Sequence, residues 1–248
     1  MRLFISETDI LMETKERPYK DMEERKIIYE KFRVKFLIIE NNIQNANNSP
    51  IELEVIHVAE IDSTMPASRE YIDQGNKLPF IYNADIQTQG KGKGARKWAG
   101  SILGNIYTSC SIPINMIKNE INVNDIIVKI TAISIIQQLK EYSNDFYLKH
   151  PNDIICVDRR KIGGIIAEYY KDFCIIGFGI NIVNKPEQSE IRKEGLLPCF
   201  VNEHIKNKSG PKALDLSIEI TKQIICNLRK SQKEVNDLFS KYVKKEGQ

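Results

Sequence analysis

The sequence predicts an α+β protein built on a mixed, largely antiparallel sheet packed with helices. Three observations predict it. Short β-branched and aromatic runs between residues 146 and 182 are joined by tight connections such as Asp158-Arg159-Arg160 and Lys171-Asp172, which is the pattern of hairpins. One long stretch near 123–141 carries apolar residues at three- and four-residue intervals. Two further helical patterns, near 212–229 and 231–244, close the chain. A doubly wound fold would instead alternate strand and helix throughout.

Taken in order, residues 1–50 read as an accessory segment of unassigned role. It is densely charged over 13–35 and ends in NNIQNANNSP, an Asn-rich linker. A helix is expected from about Glu23, leading into a strand at Val34–Ile39. From residue 51 to 248 one larger domain follows. Leu53–Val58 is a strand. Pro66 opens a helix to about Gln74, with Thr64 placed to cap it. Pro79–Asp85 and Gly104–Ile112 are strands that flank a glycine-rich loop at 87–101. Val123, Ile126, Ile127, Ile130, Ile133, Ile136 and Leu139 share one face of the long helix. Strands at Phe146–Lys149, Asp153–Val157, Gly163–Tyr170 and Phe173–Ile182 precede the final helices.

The chain has 248 residues, 42% apolar and 28% charged, with a net charge of +3. That suits one large domain or two small ones, and the balance of charge gives no argument for nucleic acid. No run approaches a membrane-spanning length, and Glu7 and Asp9 stand where a signal peptide needs apolar residues. A cytoplasmic protein is expected. The five cysteines, 110, 156, 174, 199 and 226, include no C-x-x-C, so they read as small buried hydrophobes rather than a disulfide frame. His57, His150 and His204 show no ligand spacing, which argues against a structural zinc site.

The segment GKGKGARKW, residues 90–98, places alternating glycines and lysines before the only tryptophan. It is not a P-loop, because no pair of glycines four residues apart is followed by Lys and Ser/Thr. Gly177-Phe178-Gly179 begins like a dinucleotide fingerprint, but Ile182 stands at its third glycine position. A solvated turn accounts for a glycine cluster equally well. The alternative is an anion clamp, in which glycines let backbone N–H groups approach a phosphate and the cations neutralise it. Four more stretches stand out: IDST (61–64), LKHPNDI (148–154), KIGGIIAE (161–168) and GFGIN (177–181). Each has a structural reading of its own: a helix cap, a turn, a solvated strand end, and glycines where another backbone crosses.

In this order the five motifs resemble the catalytic core of biotin–protein ligases over about residues 53–245. The resemblance implies the fold shared with class II aminoacyl-tRNA synthetases and biotin–acetyl-CoA-carboxylase ligase activity. Biotin would be activated by ATP to biotinyl-5'-AMP, with Mg2+, and transferred to a lysine of a biotin carboxyl carrier domain. It also implies roles. Lys161 would neutralise the meeting of carboxylate and α-phosphate, helped by Lys93. Asp153 would orient or deprotonate the acceptor amine. Ser63, Thr64, Gln87, Gly90, Lys91 and Gly164 would hold biotin. Lys93, Arg96, Trp98, Asn152, Lys161 and Asn181 would hold the nucleotide, with Lys97 also near phosphate. No metal ligand is identifiable. The sequence departs from the family at Lys91 and Lys93, where arginine is usual, and at His150, where tryptophan is common. Neither a DNA-binding domain nor the C-terminal SH3-like barrel of many members is evident. A homodimer formed through a sheet edge remains open. The competing readings are a lipoate or octanoate ligase or transferase of the same fold, and a non-catalytic biotin- or adenylate-binding module.

Overall fold

The computed structural model describes residues 11–13, 31–38, 51–94, 96–117, 123–187, 195–206 and 209–244. Their strands are β1 (Leu11–Glu13), β2 (Lys31–Ile38), β3 (Ile51–Ile61), β4 (Phe80–Gln87), β5 (Ile106–Pro113), β6 (Phe146–Lys149), β7 (Asp153–Cys156), β8 (Lys161–Tyr170) and β9 (Phe173–Ile180). The helices are α1 (Thr64–Asp73), α2 (Val123–Leu139), α3 (Ala213–Asn227) and α4 (Gln232–Tyr242). All nine strands join one sheet in the order β1-β2-β3-β4-β5-β9-β8-β7-β6. Only β3 and β4 run parallel, with α1 as their crossover. The expected α+β class and mixed, largely antiparallel sheet are therefore observed.

Period-two alternation distributes side chains to two cores. On β3, Ile51, Leu53 and Val55 face a large core, and Ile56 and Val58 a smaller one. The large core lies under α2, α3 and α4. The smaller one lies under α1, where Met65, Tyr71 and Ile72 meet Phe80, Tyr82, Phe173 and Ile175. The long helix was expected to bury one stripe. It is buried on more of its circumference, because α3 and α4 also cover it. Thr131 and Ser134, which lie off the stripe, are fully buried and turn their hydroxyls onto the carbonyls of Ile127 and Ile130, each at 2.8 Å. Helix α4 starts at a capping box. Ser231 Oγ accepts from Glu234 N–H, and Glu234 accepts from Ser231 N–H at 2.8 Å.

The strand expected at Val34–Ile39 is β2, which pairs with β3 over its whole length. Part of the segment assigned to an accessory role thus extends the main sheet. The expected helix from Glu23 and the Asn-rich linker at 41–50 lie outside the described residues. At the other edge, Val243 bridges to Leu148 on β6.

Candidate active site

The alternation that fills the smaller core also opens a cavity. Along β9, the residues facing α1 are Phe173, Ile175, Gly177 and Gly179. The first two carry rings or branches; the last two carry nothing. In register beside them on β8 stand Ile166 against Gly177 and Gly164 against Gly179. The sheet therefore has a floor of bare backbone at this end. A Cβ at Gly177 would sit 2.8 Å from Met65 Sδ, and one at Gly179 2.8 Å from Trp98 Cζ2. The body that crosses these glycines is an indole and a thioether, not another backbone as their spacing alone suggested. Trp98 also lies over Gly164, whose added Cβ would be 3.2 Å from its Cζ3.

The segment 90–98 delivers that indole as a short hairpin. Trp98 N–H donates to Gly90 O at 2.8 Å, Gly92 N–H to Arg96 O at 2.9 Å, and Lys91 bridges Lys97. Its tip needs Gly94, where φ is +67°. Gln87 N–H bonds Gly100 O at 2.8 Å, tying the base to β4. The hairpin brings Lys91, Lys93, Arg96 and Lys97 to the rim of the cavity, all exposed to solvent.

At one end of the cavity is a polar cluster. Thr64 is the first helical residue of α1, not its cap; Ser63 takes the cap position and makes no side-chain capping bond. Thr64 is thereby free to face the sheet. Gln87 Oε1 accepts from Thr64 N–H at 2.8 Å and from its hydroxyl at 3.1 Å, while Thr64 Oγ1 and Ser109 Oγ are 2.7 Å apart. Ser63 Oγ is buried and has no partner. An unpartnered buried hydroxyl is costly unless something else satisfies it.

At the other end Lys161, the first residue of β8, points over the floor. Its ammonium lies 2.6 Å from Asp153 Oδ1 on β7 and 5.5 Å from the centre of the Trp98 ring. Both members of the ion pair are mostly buried, with side chains 28% and 22% exposed. The pair is thus less screened than a surface bridge. Asn152 precedes Asp153 after a cis His150–Pro151 bond and donates its amide to Ile165 O at 2.9 Å. The inner cavity is about 80 Å³, because the indole fills much of the glycine shelf. Beyond it lies an outer groove of about 620 Å³, bordered by Arg69, Asp125 and Glu168 as well as the lysine hairpin. Arg69 Nε bonds Glu168 at 2.7 Å, and that bond holds the guanidinium above its usual pKa.

Of the residues singled out from sequence, Ser63, Thr64, Gln87, Lys91, Lys93, Arg96, Trp98, Asn152, Lys161 and Gly164 line the inner cavity. Asp153 is adjacent through Lys161. Gly90 supports the hairpin base. Asn181 does not line the cavity: it is buried, and its amide donates to Cys199 O at 3.0 Å. Sequence reasoning missed Met65, Thr108, Ile165, Ile166 and Phe178 as lining residues. Their apolar or small polar character is indistinguishable from core packing in a linear pattern.

Over residues 58–181, half of the chain, the sequence matches the model of the biotin/lipoate A/B protein ligase family. Solved structures similar to it include the biotin protein ligase from Aquifex aeolicus in complex with biotin and ATP. That match has 26% identity and a TM-score of 0.62, covering 76% of this chain and 78% of that one. The biotin protein ligase from Leishmania major in complex with biotin matches at 24% identity with a TM-score of 0.67, over 77% and 82% of the two chains. The Helicobacter pylori biotin acetyl coenzyme A carboxylase synthetase matches at 21% identity and a TM-score of 0.55, over 76% and 78%. The last two establish a common fold. Among the described residues no helix is long and apolar enough to cross a membrane.

Proposed function

The chain belongs to the biotin/lipoate A/B protein ligase family, and from that membership we infer that it activates biotin with ATP and transfers it to a lysine of a biotin carboxyl carrier domain. The observation that carries the reading is the cavity's polarity. A neutral hydrogen-bonding cluster with an unpartnered Ser63 hydroxyl stands at one end, a fixed ammonium at the other, and a floor of bare backbone lies between. Biotin has the matching shape: a ureido head that donates and accepts hydrogen bonds, a flat ring system and a terminal carboxylate. Ser63, Thr64 and Gln87 suit the head, and Gly164, where an added Cβ would lie 3.2 Å from Lys161 Nζ, leaves room beside the ammonium at the carboxylate end.

In the first step a carboxylate oxygen of biotin attacks the α-phosphorus of ATP and pyrophosphate leaves. Two anions at about 4 Å repel by roughly 4 kcal/mol at an effective dielectric near 20. The Lys161 ammonium stands between them and offsets that repulsion most as charge gathers on the transferring centre. Asp153 holds that ammonium in place, so its first role is to position Lys161. Lys91, Lys93, Arg96 and Lys97 attract and bind the phosphates. Asn152 lines the nucleotide side, and Trp98 supplies a stacking face. Asn181 supports the site from beneath through the Cys199 backbone. In the second step the acceptor amine attacks the mixed anhydride and AMP leaves.

Magnesium fits as a phosphate-held ion. No carboxylate lines the described inner cavity, and Mg2+ is commonly bound through substrate phosphates and water. Bound there, it would neutralise phosphate oxygens.

Because the indole occupies the glycine shelf, ligand entry requires the 90–98 hairpin to lift and re-close. Re-closure excludes water from an easily hydrolysed anhydride. A cytoplasmic location belongs to the same proposal. In a homodimer, an edge contact would involve β1 or the β6 margin, because β2 already covers β3.

The test offers biotin and lipoate in competition, with ATP, Mg2+ and a carrier domain. Incorporation of biotin alone supports the reading. Incorporation of lipoate or octanoate would transfer the assignment to the other branch of the family, and incorporation of neither would favour a binding module.

A further inference from the structure

We propose that Cys156, Asp158, Cys199 and His204 form a structural site for a zinc-type divalent cation. Their linear spacing argued against zinc, but the fold brings them together. One ligand atom from each lies within 4.8 Å of all the others. Cys156 ends β7, Asp158 sits in the following turn, Cys199 lies in the segment after β9, and His204 ends the short 3-10 turn Val201–His204.

Chemistry and burial both favour a metal over ordinary packing. Cys156 and Cys199 are fully buried free thiols with their sulfurs 2.6 Å apart. Cys156 Sγ is also 2.9 Å from Asp158 Oδ1. The His204 side chain is nine-tenths buried; its Nδ1 faces Asp145 Oδ2 at 3.8 Å, and its Nε2 is buried with no partner. That nitrogen is a free lone-pair donor of the kind a metal requires, and Asp145 flanks the opposite ring nitrogen, beyond hydrogen-bond distance. Two sulfurs and an imidazole select zinc over magnesium or calcium. Four protein ligands leave no open position, so the site is structural rather than catalytic. Tetrahedral zinc would set sulfurs about 3.8 Å apart, using Zn–S bonds near 2.3 Å, a local adjustment of roughly 1 Å. Two thiolates and a carboxylate exceed the cation's charge by one; Arg160 lies against that carboxylate and shares its own charge with Glu203. Its Nε lies 2.6 Å from Asp158 Oδ2, and its guanidinium also binds Glu203.

The consequence is positional. Lys161 N–H donates to Leu197 O at 2.7 Å, and Cys199 N–H donates to Lys161 O at 2.9 Å. A cation joining Cys199 and His204 to Cys156 and Asp158 would clamp the 197–204 segment against both backbone bonds of Lys161. The metal site itself does not depend on the function assigned to the cavity.

The experiment measures zinc in the full-length chain purified under reducing conditions, then replaces it with cobalt and records the absorption spectrum. One metal per chain is expected, with tetrahedral d–d bands and thiolate-to-cobalt charge transfer. Cys199→Ser, His204→Ala and the solvent-edge variant Asp158→Asn should each weaken zinc retention against a chromogenic chelator by at least about 10-fold. Reduced, folded wild type that takes up neither zinc nor cobalt overturns the proposal. So does a Cys156–Cys199 disulfide in peptide maps of alkylated native protein, or affinity unchanged in all three variants.

Discussion

Replacing Gly179 by alanine tests the glycine floor directly. A methyl at this position would stand 2.8 Å from Trp98 Cζ2 and 2.5 Å from Nε1. Ordinary contact lies near 3.5–4.0 Å, so the indole must retreat by roughly 1 Å. The floor cannot recede, because Gly179 is paired on both sides, to Gly164 and to Tyr107. The hairpin is itself tied at Gly90 and Gly100. Overpacking of this kind costs about 1–3 kcal/mol. In a Trp98→Ala background the obstacle is gone, and the same substitution should be nearly neutral. Urea denaturation followed by far-UV circular dichroism on the four proteins of this cycle gives the coupling, expected at about 1–3 kcal/mol. Emission from Trp98, the only tryptophan, should shift to the red in Gly179→Ala as the ring leaves its shelf. Equal destabilisation in both backgrounds, within about 0.5 kcal/mol, would refute the stacking of the indole on the floor.

Other expectations can be checked separately. Asp153→Asn removes the partner of Lys161 and should slow adenylate formation and transfer alike; loss of transfer alone, in single-turnover assays of each step, would make Asp153 the acceptor's base instead. Lys93→Arg adds bidentate phosphate contact and should slow dissociation of biotinyl-5'-AMP, measured by chase with unlabelled biotin; an unchanged rate removes the idea that lysine at this position weakens adenylate retention. Ser231→Ala breaks the α4 capping box and should destabilise the chain by about 1 kcal/mol, read from the denaturation midpoint.

Much of the architecture from β3 onward was legible because local chemistry dictates it. The β-branched runs and tight turns of residues 146–180 became four successive antiparallel strands, and the isoleucine periodicity of 123–139 became α2. Strand order was not legible. The adjacency of β5 and β9, and the single parallel pair, depend on contacts between distant residues that no local pattern encodes. Within the site, residues with marked chemistry were found: the hairpin cations, Lys161 and the Ser63-Thr64 pair. Thr64 was misplaced by one position as a cap because propensity places a hydroxyl at a helix start without saying which hydroxyl turns inward. Asn181 was drawn toward the nucleotide by its motif, but the segment after β9 takes up its amide. The glycines of β8 and β9 were visible as glycines. What they accommodate was not, because Trp98 reaches Gly164 and Gly179 from 66 and 81 residues away in sequence (164 − 98 and 179 − 98). The cysteine and histidine cluster escaped for the same reason.

The most direct measurement of the central claim is pyrophosphate release from ATP, Mg2+ and biotin without acceptor, comparing wild type with Lys161→Ala. The account predicts release by wild type with biotin but not with lipoate, and a loss of at least about 100-fold in the variant, on the scale of losing one charge-stabilising donor, with its fold intact by circular dichroism. A folded wild type that releases nothing, or a variant that keeps wild-type rates, would contradict it.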